Sequence, residues 1–127
     1  CEMGHSDRLV IADGNFPVMS MGKNAQIIRM DGHGVPEILD AILKVFPLDT
    51  YIEKPVNLME VMPGDDVQTP IWDVYKKTVE KYDERGKNAI GEIERFKFYE
   101  ETKTAYAVIA TSEKALYANI MLQKGVV

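Results

Sequence analysis

The chain has 127 residues, a formal net charge of −5 and a pI near 5.0, with 46% hydrophobic and 28% charged residues. This length and composition are typical of one globular domain, and we expect residues 1–127 to form it. The net negative charge argues against nucleic acid or an anionic membrane as the main partner, because both bind preferentially to basic surfaces.

The first half of the chain is predicted to contain three strands and one helix. Short apolar runs indicate strands at residues 8–12 and 26–30, and each run ends at an aspartate followed by a glycine. Apolar residues at helical spacing predict a helix over residues 35–46, with Pro36 near its start. A third strand lies within residues 55–62, where weak alternation is typical of a strand covered on both faces.

The second half is predicted to contain one long helix, one short helix and two closing strands. The long helix runs over residues 70–85, with Thr69 as its N-cap. A short helix lies within residues 94–105, and the strands lie within 105–111 and 118–126. This alternation predicts an α/β fold of three layers, with helices on the faces of a mostly parallel sheet.

A sparse polar set falls where such a fold would place a binding site. Polar residues just beyond strand ends tend to form the ligand crevice of an α/β sheet, and Asp13 directly follows the first strand. Taken singly, His5 is most simply a surface histidine, and Asp13 is most simply a turn former. The full set comprises His5, Asp13, Arg95, Tyr117 and Asn119, with Ala118 between the last two. Together these residues suit a small neutral polyol, with one group that titrates near neutral pH.

Other kinds of chemistry lack candidates in the sequence. No phosphate-binding loop and no Gly-x-Ser-x-Gly elbow occurs, and two histidines cannot make a histidine-rich metal centre, so we expect no metal and no cofactor. The adjacent Asp65 and Asp66 lack further oxygen ligands at calcium spacing and are interpreted as a solvated turn.

The single cysteine, Cys1, excludes an internal disulfide and indicates the reducing cytoplasm. The longest apolar run, residues 105–110, is far too short to span a membrane.

Four segments resemble the RbsD/FucU family of sugar mutarotases. They are "EMGHSDRLVIADGNFPVMSMG", "RMDGHGVPEILDAILKVFPLDTY", "IERFKFYE" and "LYANIMLQKGV", in that order along essentially the whole chain. The resemblance implies an RbsD-like three-layer domain. Members of the family usually carry a further N-terminal helix before the "MGH" segment, so we expect that helix to be missing from this sequence.

The resemblance also implies an activity and a role for each residue of the polar set. It implies that His5 is the catalytic proton donor, and that Asp13, Arg95, Tyr117, Ala118 and Asn119 bind the sugar. The strand at residues 8–12 would then carry His5 and Asp13 to one pocket. The implied reaction interconverts the α and β anomers of a monosaccharide by acid–base opening and closing of the ring. The implied assembly is a homo-oligomer, commonly a decamer, with sites at subunit contacts.

The identity of the sugar stays open between two branches of the family. The "RFKFYE" segment favours the branch specific for L-fucose over that of the D-ribose pyranases. The fucose branch often has Tyr-Gly-Asn where this chain has Tyr117, Ala118 and Asn119, which weighs the other way. A non-catalytic sugar-binding accessory module of an uptake system is the alternative from another class, and His5 would be dispensable in it.

Overall fold

The apolar runs of the sequence pair into one six-stranded sheet in the computed structural model, which describes residues 2–127. The strands are β1 (Arg8–Ala12), β2 (Gln26–Met30), β3 (Val56–Met59), β4 (Ile90–Ile93), β5 (Ala107–Thr111) and β6 (Ile120–Gln123). The helices are α1 (Val18–Met21), α2 (Val35–Leu43), α3 (Pro70–Tyr82) and α4 (Arg95–Thr102), with a 3₁₀ turn at Gly86–Ala89. Cys1, and with it the sequence argument about its thiol, lies outside the described residues.

The direction of the strands decides which residues share an edge of the sheet. The spatial order is β2-β5-β1-β6-β3-β4, and β6 runs antiparallel to both of its neighbours. The other three pairings are parallel, so five strands point the same way, which confirms the mostly parallel sheet. The carboxyl ends of those five strands therefore lie along one edge, and β6 begins at that same edge.

Side-chain alternation along the strands divides the core into two layers. In β1, Leu9 and Ile11 pack on one face with residues of α2 and α3, while Val10 and Ala12 pack on the other. That second layer includes Phe98 of α4 and is flanked by residues of α1. Helices on both faces of one sheet confirm the predicted three-layer α/β fold. Within residues 2–127, no helix has both the length and the apolar character needed to cross a membrane.

Several elements differ from the prediction in their bounds or their existence. Helix α2 ends at Leu43, three residues before the predicted end, although Phe46 is still buried beyond it. Strand β4 was not predicted, because its sequence Ile-Gly-Glu-Ile contains only two apolar residues and a strand-weakening glycine. Helix α1 has only four residues, too few to show a helical period. Thr69 does precede α3, but its side chain makes no capping hydrogen bond.

The burial of β3 generates a first prediction about stability. Leu58 is 1% exposed and packs in the layer beneath α2 and α3, so Leu58→Ala should lower the free energy of unfolding by about 2–5 kcal/mol. The matched control Val45→Ala, at a side chain that is 81% exposed, should change it by less than about 0.5 kcal/mol. Urea unfolding of the two variants measures the difference, and equal effects would contradict this description of the core.

Candidate active site

A cavity of about 360 Å³ opens at the edge of the sheet where the five parallel strands end. Four residues of the predicted polar set line it, namely Asp13, Arg95, Tyr117 and Asn119. The lining also includes Phe16, Met59, Asp65 and Tyr99, which sequence reasoning did not assign to a site. The cavity therefore joins charged and amide groups to apolar side chains.

Asp13 is the buried carboxylate of the cavity. The residue is 6% exposed and follows the last residue of β1, where its backbone N–H donates to Asn119 Oδ1 at 2.8 Å. Its carboxylate accepts the N–H of Asn15 at 3.0 Å and that of Ala118 at 3.4 Å. Burial raises the pKa of the Asp13 carboxyl above its ordinary value, and the charge of Glu113 adds to that rise, while the N–H donors oppose it.

Helix α3 fixes the backbone of the segment that precedes β6. Trp72 Nε1 donates to the carbonyl of Tyr117 at 2.8 Å, and the hydroxyl of Tyr75 donates to the carbonyl of Ala118 at 2.6 Å. Burial raises the pKa of Tyr75 well above its ordinary value, so its hydroxyl stays protonated and remains a donor. Asn119 follows directly, and because its Oδ1 accepts the Asp13 N–H, its amide N–H groups are the part offered to a ligand.

Tyr117 has a left-handed backbone with φ 54°, a conformation that non-glycine residues adopt uncommonly. Its hydroxyl donates to Asp65 Oδ2 and accepts the N–H of Met62 at 3.2 Å. The hydrogen bond to Asp65 raises the pKa of Tyr117 above its ordinary value. Asp65 is exposed, as expected of a solvated turn, and its carboxylate also binds a site residue, which the sequence analysis did not predict. The sequence gives no signal for this contact, which spans 52 positions.

Arg95 enters the cavity as the first residue of α4. The preceding Glu94 caps the helix, because its carboxylate accepts the N–H groups of Phe96 and Lys97 at 3.0 and 3.1 Å. The guanidinium of Arg95 donates to the hydroxyl of Tyr99 at 3.1 Å and is otherwise exposed. A capped helix start thus places a cation beside the carboxylates of the cavity, with donors left for a ligand.

Within one chain, the structure does not bring His5 to this cavity. His5 precedes β1 and Asp13 follows it, and at about 3.3 Å per residue the strand alone spans roughly 13 Å. His5 is exposed in a turn at the opposite edge, with Nε2 3.2 Å from Asp49 Oδ1. The expectation that one strand carries both residues to a single pocket of the chain is therefore wrong, since the strand holds them apart.

The groups in the cavity fit a small molecule rich in hydroxyls. A carboxylate accepts hydroxyl protons, whereas a guanidinium and an amide donate to hydroxyl oxygens, and Phe16 and Met59 supply an apolar wall. Among residues 2–127, no group of three His, Cys, Asp or Glu side chains is arranged to hold a metal ion. The chemistry that the cavity supports is thus binding by neutral and charge-assisted hydrogen bonds.

Known proteins match this chain over essentially its whole length. Residues 1–127 match the family described as the RbsD / FucU transport protein family. The fucose mutarotase of Homo sapiens is 47% identical over 128 residues, which cover 98% of this chain and 82% of the human protein.

Two solved structures share the fold at high similarity. FucU from Bifidobacterium longum is 67% identical, with a TM-score of 0.98 over 100% of this chain and 90% of that one. The fucose mutarotase from Streptococcus pneumoniae, solved in complex with L-fucose, is 44% identical, with a TM-score of 0.92 over 99% of this chain and 87% of that one.

The burial of Asp13 generates a prediction about stability and pH. Since its pKa in the folded protein lies above the ordinary value of 3.8, the stability that its proton contributes is complete below that value and is lost as the pH rises through the folded pKa. Asp13→Asn lacks this titration. The free energy of unfolding of the variant minus that of the wild type should therefore rise with pH across this range and then level off. Urea unfolding at a series of pH values measures it, and a difference that falls with pH would contradict the burial cost.

Proposed function

The chain belongs to the RbsD/FucU family, and from that premise we propose that it is a fucose mutarotase, an isomerase that interconverts the α and β anomers of L-fucose. The observation that carries the proposal is the cavity at the strand ends, where the buried Asp13, the amide of Asn119 and the guanidinium of Arg95 converge beside apolar side chains. We treat residues 1–127 as one mutarotase domain, because a single sheet carries both layers of its core.

The proposed binding mode assigns one hydrogen-bonding role to each polar group. Asp13 accepts from sugar hydroxyls, and such charge-assisted bonds offset the cost of its burial. Asn119 and Arg95 donate to hydroxyl or ring oxygens, while Phe16 packs against the C–H face of the sugar. L-Fucose is a 6-deoxy sugar with a methyl group, so it has more apolar surface for such a wall than D-ribose has.

The reaction needs two proton transfers and no change of oxidation state. The anomeric hydroxyl loses its proton, its electron pair forms the aldehyde C=O, and the bond from the anomeric carbon to the ring oxygen breaks. The electron pair of that bond takes up a proton at the former ring oxygen. Rotation of the aldehyde and the reverse steps give the other anomer. An imidazole can donate a proton and accept one in turn, and we assign that role to His5.

His5 reaches a cavity only if a second copy of the chain supplies it. The His5 side chain is 39% exposed at one edge of the sheet, and the cavity lies at the other. Contact between these two edges of neighbouring copies would place the imidazole of one beside the sugar bound by the next. We therefore propose a homo-oligomer with sites at its subunit contacts, and a decamer is the assembly that family membership favours. A cytoplasmic location stays a prediction.

The role of His5 generates the central test of the proposal. Saturation transfer between the two anomeric proton resonances of L-fucose measures exchange directly, with and without protein. His5→Ala should slow the catalysed exchange by about 10²- to 10⁴-fold at saturating sugar, because general acid–base catalysis contributes about that factor. His33→Ala is the matched control, since His33 is exposed, pairs with Glu37 and does not line the cavity.

Three other results would redirect the proposal. Unchanged exchange in His5→Ala would favour a sugar-binding accessory module with a dispensable histidine. Faster exchange of D-ribose than of L-fucose at equal protein concentration would favour a ribose pyranase. Absence of any catalysed exchange in the wild-type protein would overturn the assignment as a mutarotase.

Sharing of the site between copies generates a separate prediction. His5→Ala and Asp13→Asn should each impair exchange, but a mixed oligomer contains some contacts at which the intact His5 of one copy meets the intact Asp13 of the next. Random mixing makes that fraction about one quarter, half of one kind times half of the other. Co-refolding equal amounts of the two variants should therefore recover about a quarter of wild-type exchange. No recovery above the sum of the separate variants would show that both residues act within one chain.

A further inference from the structure

The loop that follows β5 binds the backbone on both sides of Asp13. The hydroxyl of Thr111, the last residue of β5, donates to the carbonyl of Ala12 at 2.8 Å. Two residues further along, the carbonyl of Glu113 accepts the N–H of Gly14 at 2.8 Å. Asp13 lies between these two points, so the position of its buried carboxylate depends on the position of this loop.

The side chain of Glu113 is held by three backbone N–H groups. Its Oε1 accepts from Val35 at 3.1 Å, and its Oε2 accepts from Lys114 at 3.0 Å and from Ala115 at 3.2 Å. Val35 is the first residue of α2, and the N-cap residue before it, Gly34, has no side chain that could cap the helix. Glu113, 78 positions away, therefore supplies an acceptor that the start of α2 lacks locally.

Two glycines allow the close approach of Glu113. A Cβ atom at Gly14 would lie 3.1 Å from the backbone oxygen of Glu113, and a Cβ atom at Gly34 would lie 3.1 Å from its Oε1. Both distances are shorter than an ordinary van der Waals contact, so a larger residue at either position would have to displace the group that it meets. The chain thus keeps room for Glu113 both beside Asp13 and at the start of α2.

Titratable groups face Asp13 from the elements around it. They are Glu113 after β5, Asp65 after β3, Tyr75 of α3, Arg95 and Tyr99 of α4, Tyr117 before β6, and Arg29 and Asp31 at the end of β2. Arg29 and Asp31 pair with each other at 3.1 Å, so their charges largely offset each other at Asp13. Within residues 2–127, the hydrogen bonds to the Glu113 carboxylate come from uncharged backbone N–H groups, so no hydrogen-bonded cation offsets its charge.

We infer that Glu113 is a positioning residue for Asp13: it fastens the Asp13 turn and the start of α2 to one loop, and it holds a negative charge beside the Asp13 carboxyl. This inference rests on the proposed role of Asp13 in binding the sugar. A carboxylate with a higher proton affinity accepts hydrogen bonds more strongly, so the charge of Glu113 strengthens the bonds from sugar hydroxyls to ionised Asp13. The same charge favours protonation of Asp13, so it also limits sugar binding at low pH.

The first measurement follows the Asp13 carboxyl directly and needs no sugar. The ¹³Cγ shift of Asp13, assigned by its absence in Asp13→Asn, is titrated against pH in the wild type and in two variants. Burial is the main cause of the raised pKa of Asp13, and the charge of Glu113 adds to it, so Glu113→Gln should move the midpoint to lower pH. Glu113→Asp keeps the charge, and its midpoint should stay closer to that of the wild type.

Glu37→Gln is the matched control for this titration. Glu37 is an exposed carboxylate in the first turn of α2, where it pairs with His33 and does not line the cavity. The control should leave the Asp13 midpoint unchanged. An unchanged midpoint in Glu113→Gln, or an equal shift in Glu37→Gln, would overturn the inference.

The second measurement is the affinity for L-fucose by calorimetric titration at a series of pH values. At pH 7, Glu113→Ala should raise Kd by about 3- to 10-fold, because it frees the loop that holds the Asp13 turn. Glu113→Gln should raise Kd less, since its amide oxygen can still accept the N–H of Val35. As the pH falls, Glu113→Gln should also lose affinity at a lower pH than the wild type does. The same factor in Kd at every pH would contradict an action on Asp13, because a merely structural defect has no reason to follow its titration.

The outcomes separate this inference from the proposed function. If the wild-type protein exchanges anomers while the folded Glu113 variants keep its affinity and its Asp13 midpoint, the positioning role is wrong and the mutarotase assignment stands. If the wild type binds L-fucose without exchanging its anomers and the variants behave as expected, the mutarotase assignment fails and the positioning role stands. Absence of both binding and exchange would overturn the proposed function and this inference with it. Circular dichroism identifies variants that do not fold, and Glu113→Gln decides the test if Glu113→Ala is one of them.

Discussion

The antiparallel placement of β6 between β1 and β3 is the constraint on which both the cavity and the surroundings of His5 depend. Its register sets Ile11 opposite Ile120 at one end and Arg8 opposite Gln123 at the other. The first end brings Asn119 to the backbone of Asp13 in the cavity, and the second brings Gln123 beside Asp49, the carboxylate that contacts His5. Because a one-residue slip turns every side chain of a strand to the opposite face, this register cannot shift without disturbing both.

The two buried carboxylates show how their donors decide what each can do. Burial opposes ionisation of both, and at Asp13 it outweighs the backbone N–H donors, with a smaller addition from the nearby charge of Glu113, so the pKa of Asp13 is raised. At Asp49 a backbone N–H, an amide and an imidazole prevail over burial instead. Asp49 is therefore satisfied by the fold itself, whereas Asp13 gains from further donors. Hydroxyl groups of a bound sugar are donors of that kind, so the same property that makes Asp13 costly to the fold makes it useful to the proposed site.

Local pattern was enough to predict most of the fold, because strands and helices leave periodic signals in the sequence. The runs at residues 8–12 and 26–30 form strands with those bounds, and the prolines near α2 and α3 mark their starts correctly. Strand β4 was not predicted, because an edge strand of four residues buries too little side-chain surface to need an apolar alternation. Periodicity does not show which residues from distant segments of the chain contact each other.

The candidate site shows the same limit more sharply. The position of Asp13 after a buried strand pointed to the cavity, because strand direction alone determines that edge. The contact between Tyr117 and Asp65 joins a left-handed residue to a loop, and neither has a sequence signature. The proton-transfer role that resemblance implies for His5 stays a prediction, whereas its placement in the cavity of its own chain, which rested on proximity in sequence, was wrong. Eight positions along an extended chain put two residues far apart, not together.

Separation of His5 from the cavity has a consequence for the symmetry of any assembly that uses both. A copy that offers its histidine edge to the cavity edge of a neighbour makes a contact between unlike surfaces, and it leaves its own cavity for another copy to fill. Repeated head to tail, such contacts produce either a closed ring or an open filament. Only closure gives every cavity an imidazole with no unfilled end. Two backbone hydrogen bonds, between Ser6 and Lys124 and between Lys124 and Asp7, hold the His5 turn at the end of β6. A fixed position of this turn suits that requirement, because a ring closes only when each contact repeats the same rotation. The backbone bonds that hold one imidazole would then serve two purposes at once, orienting an acid–base group and fixing the geometry of the ring.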